Sequence, residues 1–341
     1  MRRLAIYFVV AAALLAAEAT VNWWVDPFGT FWKPGAVDTA LRSNCLVSQE
    51  LVGNRYSEYK LAVFRRRPTR VFVIGSSRTV KISARPGERT FTNMGIPNIT
   101  PATVLGVLRA IPPAPRQTVY LGVEPFWFNP TFRGAPANGW YDEAKYMVSA
   151  NTFRASLRSL RRAPWELHRR WRRVELAGHC IIGRTDVSIT WRPDGSRLYG
   201  YELDPRFYHP SAVTFTTDLA QLDLGYYGGF DSLSTKRLDE LAATLDLARA
   251  RRWRVVGFSL PNPTRTLTLL RTSPVVGPRW RQLSRLLPMM FHRRGFTWLD
   301  LSDVRSVPCA QDAFADGGFH PDGPCSEAIR RRLDAAVRRG R

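Results

Sequence analysis

Four short apolar runs rich in β-branched and aromatic residues, Val71 to Ile74, Thr118 to Val123, Trp253 to Ser259 and Phe296 to Leu301, predict buried β-strands. Each is short and mostly apolar. Helical periodicity fills the intervals. "TPATVLGVLRAI" offers Thr100 as a cap, Pro101 at the first helical position, and Val104, Leu105, Leu108 and Ile111 on one face. "STKRLDELAATLDLARARRW" begins with Ser234 as a cap, and two more helices are predicted from Pro278 and from Cys325. Upstream, "SQELVGNRYSEYKLAVFRRRP" from Ser48 predicts a single helix ended by Pro68. Strands alternating with helices define an α/β fold with a mostly parallel sheet.

The alternation breaks once, between about 129 and 231, where an arginine-rich run, many Trp and Tyr residues and turn signals such as "RPDGS" and "YYGGFD" accumulate. This stretch reads as an insertion over the carboxyl ends of the strands, where open α/β sheets bind ligands. It is either a lid or substrate platform, or a subdomain whose aromatics form their own small core. The pattern divides the chain into an N-terminal helix at 1–25, a membrane-proximal segment at 26–68 and an α/β domain at 69–341 carrying that insertion.

At the N-terminus, Arg2 and Arg3 precede an apolar run from Leu4 to Ala17, interrupted by Glu18 and resuming toward Trp23, Trp24 and Val25. Basic residues on one side and tryptophans on the other predict a signal anchor in the inner membrane with the bulk of the chain on the periplasmic or extracytoplasmic side. Ala17-Glu18-Ala19 also fits a small-x-small cleavage site, so a removed signal peptide is the competing expectation. Both export the domain.

Charge changes the picture less than its size suggests. The net charge is +22, but only five of the 50 basic residues are lysine and the arginines are spread along the chain, with one dense run at 154–173. No zinc-finger spacing, basic heptad or ribonucleoprotein motif accompanies them, so nucleic acid is not an expected partner. Anionic headgroups or an acidic glycan suit such a surface better. The four cysteines, Cys45, Cys180, Cys309 and Cys325, lack C-x-x-C spacing and predict no metal site. Three pairings are open to them. Cys309 with Cys325 would close a short loop near the C-terminus, and the alternative is a set of buried thiols.

Candidate chemistry begins where the first core strand runs into "GSSR". Gly75 permits a sharp turn at the carboxyl end of the strand, presenting Ser76 and Ser77 either as a nucleophile or as caps of the next helix. A serine hydroxyl needs a base. Of the five histidines, His168 and His179 lie in or beside the arginine run, His292 sits in a helix tail, and His209 is a lid candidate. His320, in "FADGGFHPDG" before the final helix, also falls at the carboxyl end of the sheet, with Asp316 four residues upstream to orient the imidazole.

This order of residues resembles the SGNH/GDSL hydrolase superfamily, in particular its membrane-anchored, envelope-facing members typified by the D-alanyl-lipoteichoic acid transfer and alginate O-acetylation proteins. The resemblance covers about 70–335 apart from the insertion. It implies a three-layer α/β/α sandwich around a flavodoxin-like sheet, Ser77 as nucleophile, His320 as general base and Asp316 as its partner. "FTNMGIPN" matches the block that supplies oxyanion donors, placing Asn93 and Gly95 in that role. Two features depart from the pattern. The Asp-x-x-x-His spacing is one residue longer than usual, requiring a bulge at Gly317-Gly318. Glu124, in "LGVEPF", stands where a side-chain amide is usual, so it must turn away or bind Arg78, or the oxyanion hole must use backbone N–H groups alone. Arg78 is expected to hold an anionic substrate group, to pair with Glu124, or to be a first-turn helix arginine turned to solvent.

The function so implied is an exported serine esterase or O-acyltransferase acting on an acyl ester of an envelope glycan, served by a membrane-bound acyl-donating partner and needing no metal or organic cofactor. Two rivals accompany it: a catalytically weak or inactive relative that binds envelope polymer or scaffolds an acylation or secretion complex, and a basic protein that binds lipid through 154–173.

Overall fold

The computed structural model describes residues 2–25, 34–53, 55–114, 116–134, 147–162, 172–183, 188–204, 206, 226–310, 313–315 and 319–339. Its strands, in chain order, are β1 (Leu46–Ser48), β2 (Val71–Ile74), β3 (Phe91–Asn93), β4 (Thr118–Val123), β5 (Arg172–Leu176) and β6 (His179–Gly183). There follow β7 (Ile189–Trp191), β8 (Arg197–Tyr199), β9 (Arg254–Ser259), β10 (Thr297–Leu299), β11 (Phe314–Ala315) and β12 (His320–Pro321). The chain forms two compact units, one from 1–59 and 138–193, the other from 60–137 and 194–341.

The first unit carries the N-terminal helix Arg2–Val25, which contains an 18-residue window with a mean hydropathy of 2.1 that the protein does not bury, while Asn22 and Val25 near its end are buried. That is one helix long and apolar enough to cross a membrane. In the same unit β1 pairs parallel with β6 and antiparallel with β7. The antiparallel β5–β6 hairpin turns through Ala177 and Gly178, both at positive φ, as a tight two-residue hairpin demands. A Cys45–Cys180 disulfide joins the two chain segments beside this sheet.

The expected helix from Ser48 is interrupted. Ser48 ends β1, a single turn follows at Gln49–Val52, and the longer helix is Tyr56–Arg66. Gly53, at φ 53°, caps the first turn in a conformation that an uninterrupted helix does not allow.

The second unit is built on an all-parallel five-stranded sheet in the order β10-β9-β4-β2-β3. By chain order this is 2-1-3-4-5, the strand order of flavodoxin-type sheets, and the direction of winding reverses between β2 and β4. The helices alternate with the strands as their caps predict. Thr100 accepts from the Thr103 N–H at the start of Pro101–Ala110, and Ser234 accepts from the Arg237 N–H at the start of Thr235–Ala250. Val73, Tyr120, Val256 and Phe258 of the sheet form one apolar cluster with Ile329 and Leu333 of the C-terminal helix Gly323–Arg339. From that helix, buried Arg330 lies 3.8 Å from the ring centre of Phe91 and pairs with Glu88 and Asp334, each at 2.9 Å.

Candidate active site

The site lies in the second unit, at the carboxyl ends of β2 and β4, where the winding reverses. After β2 the chain makes a single 3₁₀ turn, Ser77–Thr79. A hollow in the sheet edge accepts it. Thr79 is fully buried, and a Cβ on Gly75, Gly95 or Gly122 would come within 2.7, 2.5 and 2.7 Å of the Thr79 side chain. Three neighbouring strands therefore end near glycine so that the turn can sink between them.

The two serines divide the work. Ser76 is buried and structural: its Oγ accepts from the Arg78 N–H at 3.2 Å and donates to Glu124 Oε1 at 2.6 Å. Ser77 is half-buried, and its Oγ lies 2.8 Å from His320 Nε2. The chain thus brings together two side chains 243 positions apart.

His320 opens β12, whose antiparallel pairing with β11 matches Ala315 with His320. Just beyond, Asp322 Oδ1 accepts from the Cys325 N–H at 2.8 Å, starting the last helix, and a Cys309–Cys325 disulfide fastens that start. Asp316 lies outside the described residues, as do Gly317, Gly318, His168 and His209. His179 is exposed at the start of β6 in the first unit, and His292 is exposed at the end of helix Val276–His292.

Arg78 holds the histidine loop in place. Its guanidinium pairs with Glu124 Oε2 at 3.1 Å, donates to Phe319 O at 2.9 Å and to Asn262 Oδ1 at 3.1 Å, and also reaches Pro261 O. It is 2% exposed and Glu124 is 0% exposed, so this ion pair is closed to solvent. Of the expectations for Arg78, the structure has the pairing with Glu124: the guanidinium is turned to protein acceptors instead of a ligand, and it is buried, not turned to solvent. Glu124, bound on one oxygen by Ser76 and on the other by Arg78, does not stand as a free carboxylate beside Ser77. Burial pushes the nearby Tyr227 hydroxyl well above its ordinary range, and the Glu124 charge pushes the same way.

Asn93 and Gly95 do not offer the expected oxyanion donors. The Asn93 amide donates to Thr79 O at 2.8 Å and Ile82 O at 2.7 Å, and its Oδ1 accepts the Gly95 N–H at 2.7 Å. Both residues brace the serine turn from beneath. Fully buried Lys60 donates in turn to Asn93 O at 3.2 Å, to Asn93 Oδ1 at 3.3 Å and to Gly195 O. The Ser77 N–H has no hydrogen-bond partner among the described residues.

An aromatic shelf flanks the histidine. Phe319 meets the His320 ring edge-on, with centroids 4.9 Å apart, and stacks on Tyr226 at 5.6 Å and 4°. Sequence reasoning missed Tyr226, Phe319, Pro261 and Asn262. For the last two, the available signal was "SLPNP" directly after β9, again at a carboxyl end. A groove of about 1190 Å³ lies at the opposite, amino-terminal edge of the sheet, lined by Arg70, Arg116, Arg252 and Arg254, and is separate from this chemistry. Among the described residues no group of three or more His, Cys, Asp or Glu side chains is placed to hold a metal.

No protein-family profile matches the sequence, and no curated protein is significantly similar to it.

Proposed function

We propose that the chain is a serine esterase or O-acyltransferase of the SGNH/GDSL type, acting on an acyl ester of a cell-envelope glycan. The observation carrying this reading is the 2.8 Å contact between Ser77 Oγ and His320 Nε2 at the winding reversal of a parallel sheet. His320 takes the Ser77 proton as the oxygen attacks the acyl carbonyl, and the ester carbon becomes tetrahedral. The Ser77 N–H donates to the oxyanion, while Asn93 and Gly95 act one step removed, by fixing the turn. Collapse breaks the bond to the leaving alcohol, which receives the proton from His320 and leaves an acyl-Ser77 ester. Water, or a sugar hydroxyl deprotonated by His320, then takes the acyl group. In this reading Asp316 orients the imidazole, the sheet is the middle layer of a three-layer sandwich, and 129–231 supplies a lid. The N-terminal helix anchors the domain on the extracytoplasmic side of the inner membrane, where a membrane-bound partner donates the acyl group.

The test is labelling of the full chain in detergent with a fluorophosphonate probe. Wild type and Ser76→Ala are expected to label, whereas Ser77→Ala and His320→Ala drop to background. Labelling that persists in Ser77→Ala rejects the nucleophile. A second reading, a non-catalytic polymer binder, is favoured by the engagement of the Asn93 and Gly95 donors, and predicts that wild type does not label at all.

A further inference from the structure

We infer that helix Ala150–Arg162 is a binding surface for anionic phospholipid headgroups, held at the membrane boundary by the end of the N-terminal helix. A hydrocarbon core takes about 20 helical residues, so a span that begins near Leu4 reaches the far boundary near Trp23. Asn22, one residue before it, is fully buried. Its Nδ2 donates to Met147 O at 2.8 Å, and its Oδ1 accepts from Ser156 Oγ at 3.0 Å. This amide clamp sets helix 150–162 at the depth of Trp23 and Trp24, the residue type that prefers the headgroup layer.

The two faces of the helix fit that position. Thr152 and Ser156, one turn apart, are buried. Arg154, Leu157, Arg158 and Arg161 recur at helical spacing and are all exposed, forming one stripe. The helix, "ANTFRASLRSLRR", has no acidic residue to neutralise them. A solvated face does not account for Leu157, 42% exposed, or for Val148, 54% exposed just before the helix. Guanidinium heads interleaved with aliphatic groups suit the boundary between phosphates and acyl chains. This surface belongs to the first unit and is independent of the chemistry at Ser77.

All four native cysteines are paired, so Leu157→Cys provides a single thiol for a fluorophore in the full-length chain reconstituted into vesicles. Quenching by spin-labelled phosphatidylglycerol is compared with quenching by spin-labelled phosphatidylcholine in the same bilayer. The expected ratio at low salt favours phosphatidylglycerol roughly fivefold or more, the selectivity of even one well-placed arginine. It falls toward unity in high salt and in R154Q/R158Q/R161Q, and survives in R154K/R158K/R161K. Equal quenching by the two lipids, no quenching by either, or a preference that persists in the glutamine variant overturns the inference. So does abolition of the preference by inorganic phosphate at matched ionic strength, which would mark a free-anion site.

Discussion

At the residue scale, the turn that carries the serine rests on a buried ion pair. Arg78 and Glu124 are both closed to water, so removing one partner leaves the other charge stranded. Arg78→Met is expected to destabilise the second unit by about 3–5 kcal/mol, with a smaller loss in Arg78→Met/Glu124→Gln, as read from denaturant unfolding midpoints. Equal losses in the two variants would show that packing, not the ion pair, sets the cost. The motif residues were visible in the sequence because a strand ending in Gly-Ser-Ser-Arg, a Glu closing the next core strand and a His before the last helix are local patterns. The roles of Asn93 and Gly95 were not visible. An amide reads the same in a sequence whether it faces a ligand or, as here, the carbonyls of Thr79 and Ile82, and only the folded turn decides.

At the element scale, the apolar central strands of the parallel sheet were the legible part. β2 and β4 occupy the predicted residues because their apolar runs are buried on both faces. β1 and β7 are three residues each, and β1 pairs with residues as far along as 190 and 191, so no local period announces them. Element scale also determines how firmly His320 is presented, because the loop that carries it is closed by Cys309–Cys325 across 16 residues. Replacing both cysteines by serine is expected to lower stability by about 3 kcal/mol, as for a loop of that length, and to slow probe labelling at Ser77. Replacing Cys45 and Cys180, which lie in the other unit, leaves the labelling rate unchanged. Identical labelling rates in all three proteins would mean that the bridge does not position the histidine.

At the scale of the whole molecule, a net charge of +22 leaves stability sensitive to pH and salt, and one interior cation gives that sensitivity a definite sign. Burial holds the Lys60 ammonium well below its ordinary value of 10.5. Between that lowered value and 10.5 the unfolded chain binds the extra proton, so this lysine's contribution is fully present above 10.5 and is lost as pH falls through the folded value. Tyr120 acts in the opposite sense and at higher pH, since burial and its hydrogen bond to Asp334 raise its hydroxyl above 10.0 and favour folding below, not above, its titration. Wild type is therefore expected to gain stability from neutral pH toward pH 10 relative to Lys60→Met, measured by urea unfolding across that range. Parallel curves for the two proteins would place the titration elsewhere.

The bond between Cys45 and Cys180 has a topological consequence. It ties together two stretches separated by 135 positions, and residues 60–137 of the other unit lie between them. Under oxidising conditions a protease that cuts within that interval opens a ring instead of releasing a fragment. The severed halves stay covalently joined, and the N-terminal apolar helix keeps hold of the piece that bears the histidine.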